Sequence, residues 1–314
     1  MADKKLIAVV GATGAQGGGL VRALARDGTF AIRALTRDVT SHKAQALATL
    51  GATVVAADLD DIESLKRAFD GAYGAFCLTN YWEHFSPERE LAQARAQAQA
   101  AKHAGLQHVI WSTLEDTRRW VPLGDNRMPT LMEKYKVPHF DAKGEANAEF
   151  TSLGVPTTLF HTSFYWENLI YFGAGPKKGP DGKLAITMPM ADKKLPGIAV
   201  EDIGKCALGL FKRGSEFIGK TVGVAGEHLT GAQMAAALTQ ALGQEVRYNA
   251  VQPDEYAKFG FPGADDLANM FQFKRDFQSD YIGMRSLTFS RALNPELQTF
   301  EGWLAQNKHR IPIG

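Results

Sequence analysis

Residues 5–17 read Lys5-Leu6-Ile7-Ala8-Val9-Val10-Gly11-Ala12-Thr13-Gly14-Ala15-Gln16-Gly17, and this stretch decides the fold. The run Lys5–Val10 is apolar after its first residue and ends on a glycine. Two further glycines follow at three-residue spacing, as a helical pattern begins. Gly11 suits a tight turn out of a strand, and Gly14 suits close approach of the backbone to an anion. Gly17 suits close packing of the next helix on the strand. That helix, Gly14–Asp27, has Leu20, Val21 and Leu24 at helical spacing and stops at Gly28. Its N-terminus offers free N–H groups and the positive end of a dipole, both of which favour a phosphate.

Working outward, the same alternation of strand and helix repeats. Strands are expected at Ala31–Thr36, Thr53–Ala57, Ala72–Leu78, His108–Ser112 and Pro156–Phe160. Helices are expected at Ser41–Leu50, Asp61–Phe69, Glu88–Ala104 and Phe140–Leu153. Gly28, Gly51, Gly71 and Gly105 fall where helix-ending glycines belong. Strands joined through helices imply right-handed crossovers and a parallel sheet covered on both faces, which also explains continuous rather than alternating apolar strands. The fold class is therefore α/β, a doubly wound parallel sheet of the NAD(P)-binding Rossmann type. After His161 the regularity fails. Residues 173–197 read as a loop with a short hairpin around Asp181-Gly182. Helices follow at Val200–Lys212, Thr230–Leu242 and Pro295–Lys308, with short strands near Val222 and Val246. We expect a nucleotide domain over 1–162 and a smaller mixed α/β domain over 163–314, parts of which pack back on the sheet.

The 314 residues carry 35 Lys+Arg and 34 Asp+Glu, a net charge of +1. That balance argues against a protein built to neutralise nucleic-acid phosphate, so no direct nucleic-acid partner is expected. Two cysteines, Cys77 and Cys206, cannot build a disulfide framework or a four-cysteine zinc site, and no metal is expected. No signal-peptide core or spanning segment is evident, so the chain reads as cytoplasmic, without a membrane partner, and as a monomer or homodimer.

The end of the second strand tests the choice of nucleotide. An acidic residue there holds the ribose of NAD, whereas an arginine accommodates the 2′-phosphate of NADP. Arg37 stands at that position with Lys43 nearby, and a one-residue slip would put Asp38 there instead. The reading is NADP(H) ahead of NAD(H). Asp58, followed by Leu59, serves either the adenine amino group or a local turn. At the fourth strand's end, Thr79-Asn80-Tyr81-Trp82 places Tyr81 and Trp82 either beside the nicotinamide or as a loop anchor. Short-chain reductases use Tyr-x-x-x-Lys as acid and ribose holder, but none of the eight tyrosines has lysine four residues on. Histidine takes that place in His139-Phe140-Asp141-Ala142-Lys143. Either His139 is a general acid, or the acid chemistry is lost while Lys143 keeps the ribose. The second reading is preferred. Ser112 and Thr113 match the place of the reductases' serine or threonine.

The sequences GATGAQGG, TRD, TNYWE, HFDAKGE, FYWENL and FGFPGADDLANMF run in order from Gly11 to about Met270. Together they resemble the NmrA-like family of atypical short-chain reductases. The resemblance implies NADP(H) in a cleft between the two domains, with Gly11, Ala12, Thr13, Gly14, Ala15 and Gln16 on the pyrophosphate and Arg37 on the 2′-phosphate. It puts Thr79–Trp82 near the nicotinamide, Lys143 on the ribose, and Tyr165, Trp166, Glu167 and Asn168 against the nicotinamide side. It further implies a redox sensor acting through NADPH/NADP-dependent conformation and regulatory protein partners, or a reductase of a small aromatic or quinone substrate. The segment Asp116–Pro138 departs from the family pattern by its length, in the place where a loop could cover the cofactor. The GFPGADDLANMF segment itself reads as a Gly/Pro turn entering an amphipathic helix.

Overall fold

The computed structural model describes residues 4–179 and 181–313; residues 1–3, Pro180 within the 173–197 stretch, and Gly314 lie outside it. The chain divides into two compact units. The first comprises the run ending at Asp116 together with Ala142–Thr162 and Val200–Val222. The second comprises Thr117–Asp141, Ser163–Ala199 and the run from Gly223.

In the first unit, β1 (Leu6–Val9), β2 (Ala31–Thr36), β3 (Thr53–Ala56), β4 (Gly74–Cys77), β5 (His108–Thr113) and β6 (Thr157–His161) alternate with five helices. These are α1 (Ala15–Asp27), α2 (His42–Thr49), α3 (Ile62–Phe69), α4 (Pro87–His103) and α5 (Pro138–Thr151), the last crossing from one unit into the other. The strand order is β3-β2-β1-β4-β5-β6, every pair among these parallel, with strand Thr221–Gly223 added beyond β6. This is the doubly wound α/β order, in which β1 and β4 flank the point where the winding reverses. The central strands are buried throughout, as their apolar runs require. Helix starts are fixed by side chains: Ser41, Asp61 and Ser86 each accept backbone N–H bonds at α2, α3 and α4. The four stop glycines all have positive φ, between 63° and 87°.

One face of the sheet packs α3, α4 and α5 around Trp111, Phe69 and Phe150, with Trp111 stacked on Phe150 at 4.9 Å. Cys77 is buried in this layer and Cys206 is buried in helix Val200–Lys212. Burial pushes both thiols well above their ordinary range, which leaves them inert. Helix Val200–Lys212 packs against α1. The two backbones meet at glycines: a methyl group on Gly204 would lie 2.2 Å from Gly19 C. Arg22–Glu201 at 2.6 Å and the Lys212–Asp27 pair tie the ends of this crossing.

In the second unit, strands Phe164–Tyr165, Lys194–Ile198 and Glu227–Thr230 form one small sheet. The hairpin Lys177–Lys178/Leu184–Thr187 joins Val246–Asn249 in another. The expected hairpin at Asp181-Gly182 is present, with Leu184–Thr187 as its second arm, while Lys194–Ile198 is a strand where loop was expected. Thr230 caps helix Gly231–Leu242 with a reciprocal Gln233 bond. The helix expected from Pro295 begins only at Phe300, because the Thr299 hydroxyl accepts the Gly302 N–H and caps it there. Among the described residues no helix is long and apolar enough to cross a membrane.

The Gly19–Gly204 contact yields a direct test. Gly204→Ala should cost about 1–3 kcal/mol, because backbone rather than a side-chain tip must move. Gly283→Ala, in an exposed helix with nothing within 4 Å of the new methyl, should instead stabilise by about 0.4–1 kcal/mol. Urea titrations of the two variants, with opposite shifts in midpoint, check both signs.

Candidate functional site

The turn after β1 has the geometry its glycines imply. Gly11 has φ +62°, and its carbonyl accepts the Gly14 N–H at 2.9 Å. Gly17 cannot be anything larger, since a methyl there would sit 2.4 Å from Gly11 O and 2.7 Å from Val10 O. Gly14 is different: a methyl would meet only Gly11 O, at 3.2 Å. A side chain at Gly14 would press on that backbone carbonyl and would also cover the exposed backbone that an approaching group needs. Gly14 is also the N-cap of α1, with no side chain closing the helix end. Gln16 in the first turn accepts a hydrogen bond from Ser112 Oγ at 2.8 Å, so the ends of β1 and β5 share one edge.

At the end of β2, the Arg37 guanidinium is hydrogen-bonded to the Glu83 carboxylate, which holds its pKa above the ordinary arginine value. Both side chains are exposed (62% and 41%), so the pair is a weak one that a competing anion can displace. Asp38 is engaged locally: its Oδ1 accepts from Thr40 N at 2.8 Å and Thr40 Oγ1 at 2.6 Å, which lowers its pKa. Lys43 is exposed in the first turn of α2. Asp58 Oδ1 takes the Asp60 N–H at 3.0 Å, the turn role, and Leu59 packs against the core. After β4, Tyr81 and Trp82 meet edge to face at 5.5 Å on the short 3-10 turn Tyr81–Glu83. Tyr81 is buried, Trp82 half-buried and Asn80 exposed.

Lys143 points into the first unit. Its Nζ donates to Thr79 Oγ1 at 2.6 Å and Thr79 O at 3.0 Å, with Glu90 Oε2 at 3.6 Å. Burial lowers the lysine's pKa, and the Glu90 charge opposes that shift. Glu90 is 1% exposed, and neither of its oxygens has a hydrogen bond, so the Lys143 charge is its main compensation. Thr113 Oγ1 donates to Lys143 O at 2.8 Å and fixes the backbone of α5 at that point.

His139 lies in the second unit, turned inward from the first turn of α5. Its Nδ1 is 2.5 Å from Asp266 Oδ1 and its backbone N–H donates to Asp266 Oδ2 at 3.1 Å, both side chains being buried. Asp141, fully buried, accepts from Thr117 N and Oγ1 and from Lys136 N and Val137 N. Desolvation raises its pKa against the pull of those bonds. One carboxylate thus clamps both ends of the long 116–138 segment. Of the run Tyr165–Asn168, Trp166 is 1% exposed, packed on Phe300 and Trp303 with Gly197 against its Nε1 edge. Glu167 accepts the Trp303 indole N–H at 2.9 Å. Tyr165 remains half-buried, and Asn168 opens a short helix.

The model of the NmrA-like family matches residues 3–304. The chain belongs to the NmrA-like family. Among curated relatives, the NmrA-like oxidoreductase FrzB of Cladobotryum sp is 28% identical, over 88% of this chain and 86% of its own. The NmrA-like oxidoreductase malD of Malbranchea aurantiaca is 30% identical, over 78% and 75%. Among solved structures, NmrA, described as a negative transcriptional regulator, superposes with a TM-score of 0.79 at 25% identity, covering 97% of this chain and 95% of that one. NmrA has also been solved with NAD and with NADP (TM-scores 0.78 and 0.77; 26% and 25% identity; the same coverage).

The charged partners Glu83, Glu90 and Asp266 were not legible as such in the sequence, since each meets its partner only through the fold. The Lys143–Glu90 pair predicts a specific double-mutant pattern. Lys143→Met, which leaves a buried carboxylate alone, should cost about 3–5 kcal/mol. Lys143→Met/Glu90→Leu should recover most of that in chemical denaturation. A loss in the double variant equal to the sum of the Lys143→Met and Glu90→Leu losses would show that the pair is not coupled.

Proposed function

We propose that the chain binds NADP(H) along the Gly11–Gly17 turn and acts as a redox sensor. On this reading it signals the NADPH/NADP ratio through conformation and regulatory protein partners, with little dehydrogenase activity of its own. The observation that carries this reading is the inward commitment of α5. The two groups standing where a reductase keeps its acid and its lysine are both engaged, His139 by Asp266 and Lys143 by Thr79 and Glu90. A binding site is retained while the usual proton donor is absent. NmrA supports the reading as a regulator solved with both nucleotides.

When bound, NADPH supplies a hydride-donating nicotinamide. The chain's own residues bind and orient. The α1 N-terminus faces the pyrophosphate, the bare backbone of Gly14 allows its approach, and Arg37 takes the 2′-phosphate once Glu83 releases it. Asp38 commits its Oδ1 to Thr40, a local turn contact. Arg37→Ala should weaken NADPH by about 1.5–3 kcal/mol and leave NADH nearly unchanged. Glu83→Gln should tighten NADPH, because a competing carboxylate is lost. Calorimetric titration with both nucleotides checks this; an equal loss for NADPH and NADH in Arg37→Ala refutes the 2′-phosphate assignment.

The second reading, an NADPH-dependent reductase of a quinone or related aromatic acceptor, is favoured by the oxidoreductase relatives FrzB and malD. Hydride transfer to a quinone asks little of a protein acid. Purified protein and NADPH, followed by NADPH absorbance against quinones and aldehydes, separates the two. The sensor reading expects tight binding, nucleotide-dependent proteolysis patterns and negligible turnover. Robust turnover overturns it in favour of the reductase.

A further inference from the structure

Helix Ala264–Asp276 in the second unit carries Asp265, Asn269 and Gln272 at i, i+4 and i+7, one face of the helix. With residues 127–131 and helix Pro253–Ala257, that face lines a cavity of about 410 Å³. Asn269 is 3% exposed and Gln272 9%. Asn269 Nδ2 donates to Lys136 O at 2.6 Å and Pro129 O at 3.0 Å. Gln272 Nε2 donates to Arg127 O at 2.7 Å and Asp276 Oδ2 at 3.4 Å. A carboxamide has two N–H donors and one acceptor oxygen, so in both residues the donors are spent and the oxygen is what remains. Among the described residues no donor reaches either oxygen. Asp265 accepts the Asp266 N–H at 2.8 Å and has no cationic partner among the described residues.

The cavity wall therefore carries two carboxamide oxygens that take no protein donor and the Asp265 carboxylate, spread over about 10 Å at the helical rise. Two arginines also line the space: Arg127 is paired with Asp125 at 2.6 Å, and Arg275 gives its Nε to Asp276 at 2.7 Å. Leu131, Pro253 and Ala257 add apolar surface to the lining, beside Gln252 and Asp254. Each of the two oxygens is open to a donor brought by a ligand. A cationic head on an aliphatic stem answers both surfaces, since its N–H groups satisfy the acceptors and its methylenes cover the apolar wall.

We propose that this cavity binds an alkylammonium group, with its N–H donors on the Asn269 and Gln272 oxygens and its charge on Asp265. The group comes either from a free polyamine or from a lysine side chain of a protein partner. The proposal rests on this cavity alone and stands or falls separately from the nucleotide reading. The test is calorimetry on the full chain with n-pentylammonium, spermidine and Nα-acetyl-lysine methylamide, with 1-pentanol as the uncharged control. Saturable one-to-one binding of pentylammonium and none of pentanol is expected. Asp265→Asn should weaken binding about tenfold, and Ala257→Phe, which narrows the half-buried mouth, should abolish it, with thermal unfolding of both variants unchanged. Spermidine binding well above pentylammonium assigns the site to a free polyamine. The lysine amide matching pentylammonium, with no gain for spermidine, assigns it to a partner's lysine. No saturable binding of the three amines, equal binding of pentanol, or indifference to both substitutions overturns the proposal.

Discussion

A methyl group on Gly17 would lie 2.4 Å from the Gly11 carbonyl oxygen, and the geometry of the first unit follows from that approach of helix start to strand end. It seats the N-terminus of α1 directly over the end of β1, beside the point where the sheet's winding reverses. On its far side α1 is held as closely by helix Val200–Lys212, through Gly19 and Gly204. A helix packed backbone to backbone on two sides has little freedom to tilt, so its dipole is aimed by packing rather than by any charged residue. That is why an almost neutral protein can hold an anion site: the field is local, fixed and made of peptide groups.

The same economy of charge governs α5. Its polar residues His139, Asp141 and Lys143 occupy alternate positions and each is turned to a different buried partner, in one unit or the other. Buried charges persist only when paired or richly hydrogen-bonded. Asp141 meets that condition with four donors, and Lys143 with Thr79 and Glu90. A helix so committed has its polar side chains held in place by their buried partners.

Much of the first unit was legible because its signals are local. Ser41, Asp61 and Ser86 are capping residues beside apolar periodicity, and the stop glycines have the positive φ their placement implies. Ala31–Thr36 and Val200–Lys212 match the sequence reading to the residue. What was not legible depends on long-range partners. GFPGADDLANMF read as a turn and an amphipathic helix, and that is its local structure. Its work lies in Asp266 meeting His139, 127 positions away, and in Asn269, with Gln272 just past the motif, holding carbonyls of the 116–138 segment. The helix placed from Pro295 erred by missing the Thr299 cap, which overrides the apolar pattern before it.

These long-range partners bear on how the long 116–138 segment is ordered. A long connection costs little loop-closure entropy but leaves many backbone groups to satisfy. Here the carbonyls of Asp125 and Met128 receive Lys136 Nζ, and those of Arg127, Pro129 and Lys136 receive Gln272 and Asn269. Burial lowers the Lys136 pKa, yet its ammonium serves a purely structural end. Asp141 then closes the segment at both ends. The segment is a hydrogen-bonded part of the second unit rather than a loose strap. Its order requires donors from the helix Ala264–Asp276, and spending those donors is what leaves that helix with a face of acceptors.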